Sequence, residues 1–123
     1  MTSDNAHLPQ AAAIEAYGKG GFRFGGMSHR GSLLCLPQGM WAWGVTAPDE
    51  ITDETLARVF TSGAELFLIG TGKTPWLMPE ALRWRFHDAR IGIEVTLTSA
   101  AVRTYNILFA EGRRVGAGLI AVD

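Results

Sequence analysis

The chain has 123 residues, a length that suits one domain with a hydrophobic core of its own. Apolar residues make up 47% of it and charged residues 19%, so the composition excludes an intrinsically disordered protein. The net charge of −1 and the scattered basic residues give no strongly cationic surface and argue against nucleic acid as the principal partner.

The amino terminus is predicted to be a disordered tail over residues 1–13, with a single domain over 14–123. Its first ten residues are polar and contain no Lys or Arg, so they resemble neither a secretory signal nor a transit peptide. No apolar run in the sequence approaches the roughly 18 residues that span a bilayer. These features favour a cytoplasmic protein.

The first third of the chain alternates short apolar runs with glycine. It predicts an antiparallel meander or set of hairpins. The expected strands are 14–18, 22–24, 32–36 and 40–45, separated by glycine-containing turns.

The sequence after residue 50 alternates helix and strand patterns. Thr52 is a candidate N-cap for a helix that ends at Gly63, and Pro79 begins a second helix, with an apolar stripe of Leu82, Phe86 and Ala89. This order favours parallel strands joined by right-handed crossovers. The remaining predicted elements are strands at 65–69, 91–97 and 115–122 and a third helix, capped by Thr98 or Ser99, at 100–110.

The most informative segment is the strand 65–69, which runs directly into a glycine turn, Gly70 to Pro75. Its consecutive large apolar residues predict a strand buried on both faces, and ligands of open α/β sheets bind at the carboxyl ends of such strands. The turn is not a phosphate loop, because Phe67 stands where the first glycine of that motif belongs. A tight turn that needs a positive φ at Gly70 or Gly72 is the simpler interpretation.

An anion site at this turn is the first hypothesis for a binding site. Backbone N–H groups of the turn, a lysine and the start of the third helix would attract a carboxylate or phosphate. The alternative is that Arg103 and Tyr105 of the predicted third helix have only structural roles. The candidate residues are Gly70, Thr71, Gly72, Lys73, Ser99, Arg103 and Asn106.

Other residues offer no catalytic or metal-binding constellation. Cys35, the single cysteine, lies in an apolar run and is expected to be an inert buried thiol. The histidines His7, His29 and His87 lack metal-ligand spacing and are expected to be solvated, with His29 in a turn. No catalytic residue, metal or other cofactor is therefore expected.

Four tryptophans are more than a domain of this size needs for packing. Trp41 and Trp43 alternate along a predicted strand and should point to one face, whereas Trp84 lies off the apolar stripe of its helix. At least two are expected in the core. A partly exposed aromatic face, with Trp41, Trp43 and Trp76 as candidates, would mark a surface that binds another protein or forms a homodimer.

The chain resembles the Mth938-like domain family (DUF498) from about residue 14 to residue 122. The resemblance is carried by the glycine turns at 20–22, by 31–34, by Leu66 to Gly72, by the block Arg103-Thr104-Tyr105-Asn106 and by 111–115. It implies an α/β fold of three layers: a mostly parallel central sheet, helices, and an additional antiparallel β layer from the N-terminal third. The family includes the mitochondrial complex I assembly factor 3 and many bacterial members, among which this chain is placed by its lack of a transit peptide.

Two hypotheses for function follow. The resemblance implies a non-catalytic, protein-binding factor that assists assembly of respiratory complex I or another membrane complex, with respiratory-complex subunits as partners at the inner membrane. The alternative is a small-molecule enzyme or binder that uses the Gly70–Pro75 turn and Arg103.

Overall fold

The computed structural model describes residues 6–123, and within them it has eight strands and three α-helices in a mixed α/β arrangement. The strands are β1 (Ala16–Gly18), β2 (Gly21–Phe24), β3 (Met27–Arg30), β4 (Leu33–Leu36), β5 (Gly39–Ala42), β6 (Leu66–Gly70), β7 (Gly92–Thr96) and β8 (Val115–Leu119). The helices are α1 (Ala57–Phe60), α2 (Glu80–Asp88) and α3 (Thr98–Ala110), and a 3₁₀ turn covers Pro48–Glu50.

Strands β1 to β3 form a three-stranded antiparallel sheet joined by two tight turns. Lys19 and Gly20 have φ values of 52° and 80°, and Gly25 and Gly26 have 56° and 74°. Two successive positive φ angles define the type I′ turn that matches the twist of a hairpin. These two pairs of positive φ angles explain the two hairpins, including β3, which the sequence analysis did not predict.

The second sheet has five strands in the order β5-β4-β8-β6-β7. β6 runs parallel to both β7 and β8, as the alternation of helices and strands predicted, and β4 and β5 extend the sheet in antiparallel fashion. The predicted layered α/β architecture is confirmed, but β4 and β5 join the central sheet instead of the flanking layer. All four residues of β4 are apolar and buried, so this strand needs cover on both faces.

The core lies on both faces of the five-stranded sheet. On one face Phe67 and Ile69 pack with Phe86 beneath α1 and α2, and on the other face Leu68 packs with Tyr105 beneath α3 and the three-stranded sheet. Phe67, Leu68 and Ile69 are completely buried. The predicted enclosure of the strand that carries the glycine turn is confirmed.

The predicted first helix is much shorter in the structure. Thr52 and Thr55 form two reciprocal hydrogen bonds. The Thr55 N–H donates to the Thr52 hydroxyl oxygen at 3.3 Å, and the Thr52 N–H donates to the Thr55 hydroxyl oxygen at 2.9 Å. This is the capping arrangement expected for Thr52, but turns follow it and regular helix occupies only α1. Gly63 then has a positive φ of 77°, as a residue that ends a helix should.

Part of the predicted disordered tail is attached to the domain. The Met40 N–H donates to the Leu8 carbonyl at 3.1 Å, and the Leu8 side chain packs against the core. The Ala12 carbonyl accepts the Tyr105 hydroxyl at 2.9 Å. Order therefore begins before the predicted boundary at residue 14, and the prediction for residues 1–5 lies outside the described residues.

Candidate functional site

The glycine turn leaves the carboxyl end of β6 and packs against the start of α3. The Gly72 N–H donates to the Thr98 hydroxyl at 2.9 Å, and that hydroxyl donates to the Ile120 carbonyl at 2.7 Å. The Thr98 N–H in turn donates to the Gly72 carbonyl at 3.1 Å. Thr98 is fully buried, so one side chain joins the turn, the helix and the segment after β8. We call Gly70, Gly72, Thr98 and Ile120 the Thr98 junction.

The two glycines of the junction are needed for different reasons. Gly72 has a φ of +92°, which confirms the predicted positive φ. The φ of Gly70 is not positive, but a Cβ there would lie 2.9 Å from both the Thr98 Cα and the Thr98 Oγ1. Gly70 therefore permits close approach of helix and strand.

Two backbone donors of the predicted anion site are already used inside the fold. The Thr71 N–H donates to the Thr96 carbonyl at 2.8 Å, and the Gly72 N–H is taken by Thr98. The Thr98 hydroxyl binds Gly72 and does not cap α3, whose N-cap position is Leu97. The N–H groups of Thr71 and Gly72 are therefore not available to cradle a ligand at this turn.

The side chains predicted for that anion site are not all gathered there. Ser99 and Arg103 are exposed on α3, and the Lys73 ammonium lies 4.0 Å from the Asp123 carboxylate. Asn106 has another role: its amide donates to the Ile14 carbonyl at 2.9 Å and accepts the Ile14 N–H at 2.8 Å. Asn106 thus anchors the segment before β1, and the anion site stays a prediction.

Two of the three candidate tryptophans belong to the core. Trp41 and Trp43 are 9% and 5% exposed and lie in the same core cluster, which confirms that they share a face. The Trp43 indole N–H donates to the Thr55 carbonyl at 2.9 Å, and the Arg58 guanidinium lies 4.5 Å from the centre of the Trp41 ring. Their burial leaves Trp76, which is half-buried, as the candidate with accessible surface.

The two most exposed large apolar side chains lie instead in α2 and in the loop before it. Leu77 is 87% exposed and Trp84 is 56% exposed, the two highest values among the large apolar side chains described. Trp84 was predicted to lie off the apolar stripe, and Leu82 and Phe86 of that stripe are buried as expected. We call Trp76, Leu77 and Trp84 the apolar ridge.

Sequence reasoning missed Leu77. A signal for it existed, because three large apolar residues, Trp76 to Met78, stand in a loop bounded by Pro75 and Pro79. A short loop of that composition cannot direct every side chain inward, and here Met78 is buried whereas Leu77 is exposed.

Cys35 and Tyr105 are neighbouring buried groups whose protonated forms are favoured. Burial raises the pKa of the Cys35 thiol strongly, despite a hydrogen bond with Tyr105 that lowers it, so the nucleophilic thiolate is disfavoured. Burial likewise raises the pKa of the Tyr105 hydroxyl, and neighbouring Cys35 adds to that shift. The predicted inert thiol agrees with this environment. His29 lies in β3, half-buried, with its ring nitrogen 3.0 Å from the Ser32 carbonyl oxygen, and not in a solvated turn.

No group of three or more His, Cys, Asp or Glu side chains within residues 6–123 is arranged to hold a metal ion. The three α-helices described are all too short to cross a bilayer.

The three-layer arrangement is that of the Mth938-like domains. A structure from Bordetella pertussis described as a Mth938-like domain superposes with a TM-score of 0.78 at 26% identity, over 98% of this chain and 90% of that one. A Bartonella henselae crystal structure, described as an outer membrane protein, superposes with a TM-score of 0.90 at 46% identity over 95% of this chain and 100% of that one.

The chain belongs to the family described as "Protein of unknown function (DUF498/DUF598)", whose model matches residues 14–120. An uncharacterised Rhodobacter capsulatus protein is 34% identical over 89% of this chain and 85% of its own length. The mouse NADH dehydrogenase [ubiquinone] 1 alpha subcomplex assembly factor 3 is 35% identical over 94% of this chain. The alignment spans 63% of the mouse protein. The family thus includes complex I assembly factors and bacterial proteins.

Proposed function

We propose that this chain is a non-catalytic, protein-binding factor that assists assembly of respiratory complex I or another membrane complex. The relationship to assembly factors along most of the chain supports the assembly role. The observation that carries a protein-binding mode is the apolar ridge, where Leu77 and Trp84 expose large apolar surfaces within one short stretch.

The ridge has the chemistry of a protein-contact surface. Burying a leucine side chain against a partner contributes about 1.5–3 kcal/mol, and tryptophan is among the residues that most often dominate binding energy. The Trp84 ring also packs edge-on against His87, with ring centroids 5.1 Å apart, which limits the entropy lost on binding. Trp76, the neighbour of Leu77 in the chain, is partly buried and packs against the core cluster.

The partners in this proposal are subunits of a respiratory or other membrane complex, met from the cytoplasmic side of the inner membrane. A newly made subunit exposes apolar surface before it is incorporated, and an apolar ridge covers such surface transiently. Catalysis is not part of this role.

The test uses a strain that lacks the gene, complemented with the full chain or with Leu77→Ser/Trp84→Gln. We expect the double variant to leave assembled NADH:quinone oxidoreductase near the level of the deletion strain, as measured on native gels. Crosslinking followed by mass spectrometry should join the wild-type ridge to subunits of that complex, and the double variant should lose those crosslinks.

Ile107→Ser is the matched control, because Ile107 is 53% exposed on α3 and not on the ridge. This variant should assemble the complex as wild type does. Full assembly in the deletion strain, together with crosslinks to no membrane-complex subunit, would overturn the proposal.

A further inference from the structure

The solvent face of the three-stranded sheet contains a shallow basic depression. Residues alternate along β2, so Phe22 and Phe24 face the core whereas Gly21 and Arg23 face outward. The depression has a volume of about 520 Å³. Arg23, Arg30 and Lys19 line it, and no acidic residue does. We call these three cations and the floor between them the basic saddle.

Glycine makes the floor of the basic saddle. Gly18 pairs with Gly21, and Gly21 pairs with Arg30 on the other side, so two of the three residues in this row have no side chain. A Cβ at Gly21 would collide with the carbonyl oxygen of His29, which leaves glycine as the residue that fits there. The next row has the small residues Ala16 and Ser28 on either side of Arg23.

Two of the three cations have no partner within residues 6–123. The side chains of Lys19 and Arg30 are exposed and form no hydrogen bond or ion pair with another described residue. Arg23 is held in place: its guanidinium donates to the Ser28 hydroxyl at 3.0 Å and lies 4.0 Å from the Glu15 carboxylate. The saddle therefore presents one oriented cation and two unpaired ones around a backbone floor.

We infer that the basic saddle binds an extended acidic segment of a partner protein. Arg23 is paired directly with Ser28, so it lies diagonally from Arg30, and such diagonal positions are about 7–8 Å apart. Alternate side chains of an extended chain are about 7 Å apart on one face. Carboxylates at positions i and i+2 of an extended segment therefore match Arg23 and Arg30, and Lys19 adds positive charge at the rim of the depression.

The shape of the saddle favours a peptide over a compact anion. Its cations are spread over β2, β3 and the turn between β1 and β2 around an open floor, so a single phosphate cannot contact all three at hydrogen-bond distance. The inference rests on the proposed function only in that the acidic segment belongs to a protein partner.

The test measures fluorescence anisotropy with a labelled peptide of alternating glutamate and threonine and the purified full chain. We expect binding in the range below about 1 mM that weakens as salt rises from about 50 to about 300 mM. Lys19→Asn/Arg30→Gln should weaken binding about tenfold, since each exposed charge contact is worth up to about fivefold. Asparagine tolerates the positive φ of 52° at position 19, so this variant keeps the hairpin.

Controls separate the saddle from general charge attraction. Arg83→Gln removes an exposed arginine of α2 and should leave the affinity unchanged, and a peptide of alternating lysine and threonine should not bind. Leu77→Ser/Trp84→Gln should bind the acidic peptide normally, so loss of the ridge and loss of the saddle are distinguishable. Equal affinity of the saddle and Arg83 variants for the acidic peptide would overturn the inference. So would displacement of the peptide by inorganic phosphate at a concentration similar to that of the peptide, or tighter binding of a DNA duplex than of the peptide.

Discussion

The Thr98 junction and the apolar ridge lie on the same connection out of β6 but differ in how their groups are used. At the junction Gly72, Thr98 and Ile120 satisfy one another in a buried network. On the ridge Leu77 and Trp84 expose large apolar surfaces to solvent. Ligands of open α/β sheets bind at the carboxyl ends of strands, which in this fold is the position of the junction. The exposed apolar surface of the ridge begins a few residues further along the chain.

The difference teaches that a glycine turn has to be judged by its hydrogen bonds. Thr71 and Gly72 resemble anion binders in sequence, but their N–H groups pair with Thr96 and Thr98. Buried N–H groups are nearly always paired, and here the neighbouring strand β7 and helix α3 supply the partners. We therefore expect the junction to govern stability and the ridge to govern binding.

The largest effect should come from Gly70→Ala at the junction. The new Cβ would meet the Thr98 Cα, a backbone atom that cannot move alone, so we expect the free energy of unfolding to fall by about 3 kcal/mol or more. Gly72→Ala should cost about 1–2 kcal/mol, from its φ of +92°. Urea unfolding followed by circular dichroism measures both.

Gly44→Ala is the matched control for the two junction variants. Position 44 has open space for a Cβ and no positive φ, so its stability should change by less than about 0.5 kcal/mol. If the Gly70 and Gly72 variants lost equal amounts of unfolding free energy, the distinction would be contradicted. That distinction assigns close approach to Thr98 to Gly70 and a positive φ to Gly72.

The next effect should come from Thr98→Val, which keeps the shape and removes the hydroxyl. The Gly72 N–H and the Ile120 carbonyl would both lose their buried partner, and we expect a loss of about 2–4 kcal/mol. Thr104→Val in the same helix should change stability little, since no hydrogen bond of its hydroxyl is found among the described residues. Equal melting temperatures for the two variants would show that the Thr98 network is not stabilising.

The smallest effect on stability should come from the ridge. Leu77→Ser and Trp84→Gln remove side chains that bury little surface in the free chain, so we expect changes within about 0.5 kcal/mol. Thermal unfolding monitored by circular dichroism measures this. A loss above about 1.5 kcal/mol for either variant would mean that the ridge belongs to the core of the domain, and its binding role would then lose its basis.

Local sequence patterns predicted the elements that are specified by residues close to one another in the sequence. The apolar run in β6 predicted its burial, and glycine pairs such as Gly25-Gly26 predicted hairpin turns. They failed for β3, where Met27-Ser28-His29-Arg30 has little β propensity, and the strand forms because the preceding turn folds it against β2. They also overextended β8, predicted to residue 122, which ends at Leu119.

The candidate sites were less predictable than the fold. The pattern placed Trp41 and Trp43 on one face, but it could not say that this face is covered by α1 and its flanking turns. The pattern placed Arg103 and Asn106 on one helix, but it could not predict that Asn106 forms a hydrogen bond with Ile14, 92 residues away. Such partners depend on sheet order, which local periodicity does not encode.

The sequence by itself determined the glycine turns of the first third, the buried parallel strand and the family, because glycine conformation, apolar runs and motif residues are local properties. Only the tertiary structure decided that β4 and β5 join the central sheet, that the Thr98 hydroxyl closes the turn and that Leu77 remains outside. These outcomes depend on contacts between segments far apart in the chain, and their energies exceed the local preferences that a sequence pattern reports.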